Sequence, residues 1–238
     1  MERCYLSDNI YLEKNKLFIE EEGISKKIKE NNWHIKLKEY GWYKLSMTWI
    51  KKLNKLNIKN KTNSLFGSLD CGENGDCLFH CISYAISPDL TYDAKQLRND
   101  LSNYITNDDF NMIINYYKIF SLSNDFDQTW DLKDIKIEDF KQKIKDGGDD
   151  YWGDIFMLNL LEKYLDINII ILNSNYEANE HYYYPFSEYD SNKNSIMLLY
   201  ENNVHFQIVG HFQNENMISF FKHEYMPIEI LRLIKFLR

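Results

Sequence analysis

Cys77 stands where a polar stretch containing two glycines meets an apolar helical pattern. The stretch reads Asp-Cys-Gly-Glu-Asn-Gly-Asp-Cys-Leu-Phe-His-Cys over residues 70–81. After Cys77, apolar residues recur at three- and four-residue spacing to about Ile86, which predicts a helix with one buried face. A thiol in the first turn of a helix lies beside unpaired N–H groups and the positive end of the helix dipole, and both favour the thiolate. Cys77 is therefore a candidate nucleophile, and a small buried apolar side chain is the plain alternative.

The polar stretch before Cys77 suits the binding of an anion. Gly72 and Gly75 permit backbone angles that bring free N–H groups together, which is how a loop becomes an anion-binding concavity. When a thiolate attacks a carbonyl carbon, the anion to be held is the oxyanion. The loop and the cysteine thus fit the same chemistry.

A partner base for such a nucleophile is found far along the chain, at His205. Alternation predicts a strand there, with His205 and Gln207 on one face and with Val204, Phe206 and Ile208 on the other. A base and a group that orients it would then be neighbours. Taken alone, a histidine in a strand is usually structural. Together with a cysteine at a loop-to-helix junction it indicates a thiol hydrolase, because such pairs meet in the fold rather than in sequence.

These motifs resemble the ovarian tumour (OTU) family of cysteine proteases, which belongs to the papain-like superfamily. The family's nucleophile motif, D-G-N-C-L-F, appears here as Asn74-Gly75-Asp76-Cys77-Leu78-Phe79. Its W-G-G segment, followed by an apolar helix and a strand, matches Tyr-Trp-Gly-Asp at 151–154. Its histidine followed by an aromatic residue matches His205-Phe206. The motifs come in the family's order and cover roughly residues 64–212.

The resemblance implies an α/β fold with a small central sheet flanked by helices, and it assigns roles residue by residue. Cys77 would be the nucleophile and His205 the base, Gln207 would orient the imidazole, and the backbone of the Asn74 loop would help to hold the oxyanion. The positions that would line the substrate channel are Gly75, Asp76, Trp152 and Phe206. The family's helical region, residues 108–150 here, is expected to contact ubiquitin. Neither a metal nor a cofactor is implied.

The motifs depart from the family pattern at three positions. Asn74 replaces the usual aspartate and Asp76 the usual asparagine, while Gln207 stands where many members have Asn or Asp. A glutamine amide accepts the imidazole N–H but lacks the charge that stabilises an imidazolium. We expect an active deubiquitinase that cuts after the C-terminal glycine of ubiquitin or polyubiquitin. Two alternatives stay open, a protease for another ubiquitin-like modifier and a catalytically silent ubiquitin-binding module.

Composition limits the classes of protein to which the chain can belong. Its 238 residues, 44% of them hydrophobic, suffice for one sizeable core with an appendage, which predicts an N-terminal extension (1–62), a catalytic domain (63–213) and a helical tail (214–238). No apolar run approaches the roughly 20 residues of a membrane span. The net charge of −8 combines a basic extension with a strongly acidic remainder, which disfavours nucleic acid and suits a basic protein partner. We expect a monomer.

The four cysteines indicate a reducing compartment. Cys71, Cys77 and Cys81 crowd one motif, and a nucleophilic thiol must stay reduced, so we expect a cytoplasmic protein. A zinc site that adds His80 to this cluster is disfavoured, because the chain offers no second pair of ligands elsewhere. Richness in Asn, Lys and Ile is typical of AT-rich genomes such as those of parasites and large DNA viruses. A viral protein would act in the host cytoplasm.

Periodicity predicts the other elements. In the extension we expect strands at 10–12 and 17–19, a strand or hairpin at 33–38, and a helix from about Ser46. The later helices are predicted from a cap at Thr91 to about Ile105, and over 108–120, 137–145 and 155–165. Strands are predicted at 167–172, 195–200 and 204–209, and the tail as two helical pieces that Pro227 separates.

Overall fold

A computed structural model of the chain describes residues 3–57, 65–72, 75–88, 91–122, 131–175, 180–185, 187–202 and 204–236. Its contacts divide the chain into two compact units. Met1–Asp70 and Asn168–Arg238 form the first, called here the sheet unit, and Cys71–Ile167 form the second, the helical unit. The predicted boundaries at residues 62 and 213 stay a prediction.

The N-terminal segment of the sheet unit begins with a four-stranded antiparallel sheet. Its strands are β1 (Cys4–Tyr5), β2 (Ile10–Glu13), β3 (Lys16–Glu21) and β4 (Ile24–Lys27), paired in that order. Lys14 and Asn15, which join β2 to β3, both have positive φ, the geometry that suits a two-residue hairpin turn. The strands predicted at 10–12 and 17–19 are thereby confirmed.

The strand or hairpin predicted at 33–38 is wrong. This stretch forms a short helix, α1 (Trp33–Lys36), followed by a 3₁₀ turn at Lys38–Tyr40. Trp33 and Leu37 are buried, whereas Ile35, which an alternating pattern would bury with them, is 63% exposed. The buried residues are thus four apart, as in a helix, and the apparent alternation came from one exposed isoleucine.

The segment continues with β5 (Trp42–Lys44), helix α2 (Met47–Leu56) and β6 (Phe66–Leu69). The helix predicted from about Ser46 is confirmed, since the Ser46 hydroxyl accepts the backbone N–H of Trp49 at 3.4 Å and caps the first turn. Trp49 is fully buried and donates its indole N–H to the Ser174 hydroxyl at 2.6 Å.

The helical unit contains helices α3 to α7. They are α3 (Cys77–Ile86), α4 (Ala94–Tyr104), α5 (Asn107–Leu122), α6 (Ile137–Asp146) and α7 (Ile155–Leu165), with a 3₁₀ turn at Gly148–Asp150. All five predicted helices are confirmed, with one correction to a cap. Asp93, not Thr91, caps α4, since Asp93 and Gln96 exchange side-chain and backbone hydrogen bonds in a capping box. Thr91 instead shares a hydroxyl hydrogen bond with Ser87 at 3.0 Å.

The C-terminal segment of the sheet unit supplies most of the larger sheet. Its elements are β7 (Ile167–Asn175), β8 (Glu180–Pro185), β9 (Asn194–Glu201), β10 (His205–Gln213), β11 (Asn216–Ile218), β12 (Phe220–Phe221) and α8 (Ile228–Phe236). The strand order is β5-β6-β10-β9-β7-β8, with β11 on β10 and β12 on β9. β5, which comes from the predicted extension, is therefore an edge strand of this sheet. The three strands predicted in this segment are confirmed.

The tail differs from its prediction on the N-terminal side of Pro227. Residues 214–226 contribute β11, β12 and a 3₁₀ turn (His223–Tyr225) instead of a helix. Asn214 and Glu215, with φ of 54° and 63°, turn the chain back from β10 into β11. The helix predicted after Pro227 is confirmed as α8.

The sheet unit has a core formed between its sheet, α2 and α8. The core comprises Leu45, Trp49, Leu53, Phe66, Ile170, Leu172, Met197, Leu199, Val209, Phe221, Met226, Ile230, Leu233 and Ile234. Strand β7 is buried from Ile167 to Ser174, as the continuous apolar run predicted. The predicted α/β class is confirmed. None of the described helices combines the length and the apolar character that a membrane crossing requires.

Candidate active site

Cys77 is the first residue of α3 and is 7% exposed. Its position leaves the N–H groups of the first helical turn without partners inside the helix. Asp76 occupies the N-cap position, where a carboxylate commonly accepts such an N–H group. Within the described residues, Asp76 makes no side-chain bond to that turn. The thiol is therefore placed at a helix end whose donors its own cap residue does not use.

The loop before Cys77 requires glycine at position 75. Gly75 has a φ of +81°, a left-handed conformation that other residues adopt at a cost. A Cβ at this position would lie 2.2 Å from the carbonyl oxygen of Gly148 and 2.8 Å from Cδ1 of Trp152. The loop before Cys77 thus runs directly against the segment that joins α6 to α7, and only a hydrogen side chain permits that approach.

A buried arginine holds this loop from within the helical unit. Arg98, on α4, is 2% exposed and forms an ion pair with the Asp76 carboxylate. Its guanidinium also donates to the carbonyl oxygens of Gly75 (3.2 Å), Tyr151 (3.1 Å) and Ile144 (3.1 Å). Burial lowers the pKa of Arg98, and the Asp76 carboxylate opposes that change. Asp76 in turn accepts the backbone N–H of Gly148 at 3.1 Å.

A second polar cluster fixes the start of α7, directly after Trp152. Asp154 caps that helix by accepting the backbone N–H groups of Phe156 (2.9 Å) and Met157 (3.0 Å). It also accepts the hydroxyl hydrogen of Tyr117, which is itself hydrogen-bonded to the hydroxyl of Tyr151. Burial raises the pKa of Asp154 from 3.8 to about 6, and the hydrogen bonds that it accepts limit the rise. Trp152 remains 46% exposed next to this buried cluster.

In the sheet unit, His205 begins β10 and faces a carboxylate. Its Nε2 lies 3.1 Å from Oδ1 of Asp70, the residue that follows β6. The register of the antiparallel pair β6–β10, in which Leu69 is opposite Ile208, makes Asp70 a diagonal neighbour of His205. The separation is within ion-pair range, so the contact is attractive when the imidazole is protonated.

Gln207, on the same face of β10 as His205, donates its side-chain amide to the carboxylate of Glu201 at 3.2 Å. Phe206 points to the other face, where it is 3% exposed and stacks on Tyr200 with ring centroids 4.3 Å apart. The predicted alternation is therefore present from His205 onwards, whereas Val204 precedes β10 and is 58% exposed, so its predicted place on the face of Phe206 is wrong. The structure places a carboxylate of one strand beside His205, and it places the Gln207 amide beside another carboxylate.

The predicted site residues fall into the two units. Gly75, Asp76, Cys77 and Trp152 lie together in the helical unit, and His205, Phe206 and Gln207 lie in the sheet unit. Asn74 lies outside the described residues. The roles proposed for these residues stay predictions.

Two further residues were missed by sequence reasoning. Asp70 had no motif to mark it beyond its place at the start of the polar stretch. Arg98 carried a usable signal, because it follows Leu97 and lies four residues after Ala94, on the predicted buried face of α4. A charged residue in an apolar stripe is rarely buried without a partner, and the unusual Asp76 was available as that partner.

Comparisons with known proteins agree with the motifs. A family model described as "OTU-like cysteine protease" matches residues 73–212. Similar solved structures include the OTU domain of OTUD1, at 16% identity, covering 75% of this chain and 92% of that chain with a TM-score of 0.42. An ovarian tumor domain in complex with ubiquitin has 18% identity, coverages of 72% and 86%, and a TM-score of 0.41. The Hazara virus OTU bound to ubiquitin has 13% identity, coverages of 65% and 82%, and a TM-score of 0.41. A comparison with curated proteins finds no match.

Proposed function

Because the chain belongs to the OTU-like cysteine protease family, we propose that it is a deubiquitinase with Cys77 as its nucleophile. The observation that carries the proposal is the position of Cys77 at the head of α3, behind a loop in which Gly75 has a positive φ. That arrangement supplies a thiol and uncommitted backbone donors at one place, as attack on a carbonyl requires. The proposed substrate is the bond after the C-terminal glycine of ubiquitin or polyubiquitin.

The proposed first step is acyl transfer to Cys77. The Cys77 sulfur, its proton transferred to His205, forms a bond to the carbonyl carbon, and the oxyanion accepts hydrogen bonds from the N–H groups at the head of α3. When the tetrahedral intermediate collapses, the carbon–nitrogen bond breaks and the imidazolium of His205 donates its proton to the leaving amine. Ubiquitin is then held as a thioester.

The second step is hydrolysis of that thioester. His205 accepts a proton from water, the resulting oxygen nucleophile attacks the thioester carbon, and the carbon–sulfur bond breaks. The proton returns to the thiolate, so the enzyme is regenerated and a free C-terminal carboxyl is released. In both steps the imidazole is transiently charged, which makes an adjacent carboxylate favourable.

The contact between His205 and Asp70 supports a specific use of the two ring nitrogens. Since Nε2 faces Asp70, Nδ1 is the nitrogen that we assign to the proton exchanged with the thiol and the leaving amine. The carboxylate would stabilise the imidazolium and hold the ring orientation. Asp70 would thus have the orienting role that sequence reasoning assigned to Gln207. The Gln207 amide instead donates to Glu201.

The test is a reaction with ubiquitin that carries an electrophile at its C-terminus. We expect the wild-type protein to form a covalent adduct and to cleave di-ubiquitin, and Cys77→Ala to do neither. Cys4→Ser is a matched control, because Cys4 is exposed and therefore the more accessible thiol. An adduct that disappears with Cys4→Ser and persists in Cys77→Ala would contradict the proposal.

The same reagents separate the alternatives. A protease for another modifier would react only with an electrophile on that modifier, which would overturn the ubiquitin assignment. A silent ubiquitin-binding module would bind ubiquitin without forming an adduct at Cys77, which would overturn the enzymatic one. Parallel reactions with electrophilic ubiquitin and with electrophilic ubiquitin-like modifiers separate these cases. Mass spectrometry detects each adduct as an increase in the mass of the protein, and each alternative predicts a different set of adducts.

A further inference from the structure

The carboxylate of Asp76 is directed away from the helix that it begins. An aspartate at the N-cap normally accepts an N–H group of the second or third helical residue. Here its Oδ1 atom pairs with Arg98 and also accepts the N–H of Gly148. The consequence is that the first turn of α3, which carries Cys77, is not capped by its own N-cap side chain.

Arg98 also fixes the orientation of the peptide that precedes Asp76. The Gly75 carbonyl oxygen accepts a hydrogen bond from the guanidinium at 3.2 Å. No cis peptide bond occurs among the described residues, so the C=O and N–H groups of the Gly75–Asp76 peptide point in opposite directions. The Gly75 C=O is turned towards Arg98, so the Asp76 N–H of the same peptide is turned away from it.

The position of Arg98 is itself restrained on several sides. The guanidinium carbon lies 3.8 Å from the ring centre of Phe79, on the first turn of α3. A Cβ on Gly147, which has a φ of +65°, would lie 2.7 Å from Nε of Arg98. The carbonyl groups of Ile144 and Tyr151 complete the surroundings. Contacts on several sides therefore hold the Arg98 guanidinium in this position.

We propose that Arg98 is a positioning residue for the nucleophile, which keeps the Asp76 carboxylate away from the head of α3 so that the N–H groups there remain free for the oxyanion. The inference rests on the proposed function. Without the guanidinium, this half-buried carboxylate would lose its charged partner and keep only the N–H of Gly148. The N–H groups of the first helical turn, which an N-cap aspartate normally accepts, would then become its alternative partners. There it would occupy the position of the oxyanion and place a negative charge beside the Cys77 sulfur.

Replacement of Arg98 tests both expected effects of a misplaced Asp76 carboxylate, the occupied oxyanion position and the negative charge beside the Cys77 sulfur. We expect Arg98→Gln to lower kcat/KM towards a ubiquitin C-terminal fluorogenic conjugate by about 10²-fold, the usual loss when one oxyanion donor is removed. We also expect the pH of half-maximal alkylation of Cys77, followed by peptide mass spectrometry, to rise by about one unit, since a like charge disfavours the thiolate. Lys163→Gln, which removes the partner of another carboxylate in the helical unit, Asp109 at 3.0 Å, is the matched control and should change neither value.

A double variant distinguishes positioning from simple destabilisation. If the misplaced charge causes the defect, then Asp76→Asn combined with Arg98→Gln should return the alkylation midpoint to the wild-type value and recover at least about tenfold of the lost activity. The proposal is overturned if the midpoint does not move in Arg98→Gln, or if the double variant is no better than the single one. Should Arg98→Gln fail to fold by circular dichroism, Arg98→Met, which also removes the charge and keeps an apolar stem of similar length, takes its place, and an unmoved midpoint overturns the proposal equally.

The alkylation measurement keeps this inference separate from the assignment of ubiquitin as substrate. It requires only the protein and a small thiol reagent. A wild-type protein that leaves ubiquitin conjugates intact would refute the proposed function, whereas the alkylation midpoints of the variants would still decide whether Arg98 controls the environment of Cys77.

Discussion

Oδ1 of Asp70 lies 3.1 Å from Nε2 of His205, where Asp70 directly follows β6 and His205 begins the neighbouring antiparallel strand β10. Asp70 is about half exposed, with 49% of its side chain accessible, and the imidazole is 26% accessible. A carboxylate at this distance stabilises the imidazolium by charge attraction, and solvent screening limits the size of that effect.

Asp70→Asn is expected to lower kcat more than any change at Gln207. Ion pairs that are partly exposed contribute up to about 1 kcal/mol, so we expect a loss of about fivefold in kcat. Gln207→Ala should cost less than about threefold, because its amide donates to Glu201. Steady-state kinetics with a fluorogenic ubiquitin conjugate measure both losses. The reverse order of effects would return the orienting role to Gln207.

Gly75→Ala is expected to inactivate the protein. The new Cβ would meet the Gly148 carbonyl oxygen at 2.2 Å in a backbone with a φ of +81°, so the loop must shift, and a displacement of about 1 Å near a nucleophile costs about 10²-fold. The measurement is the rate of adduct formation with electrophilic ubiquitin.

Gly23→Ala is the matched control for that experiment. Gly23 has a similar φ of +75°, and in the part of the chain that the structure describes a Cβ there would meet no atom within 4 Å. It therefore carries the backbone cost of about 1–2 kcal/mol without the clash. Equal loss of activity in both variants would show that global destabilisation, and not the position of the nucleophile loop, is the cause.

Asp154 should make stability depend on pH between about 4 and 6. Its pKa is raised from 3.8 to about 6 in the folded protein, so between these values the folded state holds a proton that the unfolded state has lost. The free energy of unfolding contributed by this group therefore falls as pH rises from about 4 to about 6 and is constant above that. The fall amounts to at most about 3 kcal/mol.

Comparison with Asp154→Asn isolates this contribution. Titrations common to both proteins cancel in the difference of their unfolding free energies, measured by urea denaturation at several pH values. We expect the stability of the wild type relative to the variant to decline through the interval from pH 4 to 6. A difference that increases with pH would mean that the carboxylate is stabilised as an ion.

Trp49→Phe should destabilise the sheet unit, although Trp49 comes from the segment predicted as an extension. The substitution leaves the Ser174 hydroxyl without its indole donor and opens space in the core, and it should cost about 1–3 kcal/mol in urea denaturation. Lys51→Ala, at an exposed position of the same helix, should stay within about 0.5 kcal/mol of wild type. Similar values for the two variants would show that the segment does not contribute to the stability of the sheet unit.

Local sequence patterns predicted an element correctly where the burial of one face determines whether it is a helix or a strand. The helix after Cys77 was predicted from Cys77 to about Ile86, and α3 has those bounds, because its apolar spacing has only one helical interpretation. The prediction for residues 33–38 failed, because six residues that include a tryptophan, an isoleucine and a leucine fit both the helical and the strand period. Residues 214–226 failed for another reason, because β11 and β12 form by pairing with β10 and β9, which no local pattern records.

The candidate site shows the same limit. Motifs predicted Cys77 and His205 as site residues, because their residue types and neighbours are distinctive. Asp70 and Arg98 were missed because each acts through a contact set by tertiary structure, a strand register in one case and a buried helix face in the other. Only the folded structure shows that Asp70 faces the imidazole of His205 and that Arg98 faces the carbonyl group of Gly75.

Strand β6 lies between β5, which precedes it closely in the chain, and β10, which is synthesised only after the whole helical unit. On the ribosome, Cys71–Ile167 emerges as one continuous segment and can begin to fold while β6 still lacks one neighbour. Pairing of β6 with β10 closes a long loop and is therefore expected to be a late event in folding. The thiol would thus reach its folded surroundings before the imidazole does, so a partly synthesised chain would carry the nucleophile without the base that the proposed reaction requires.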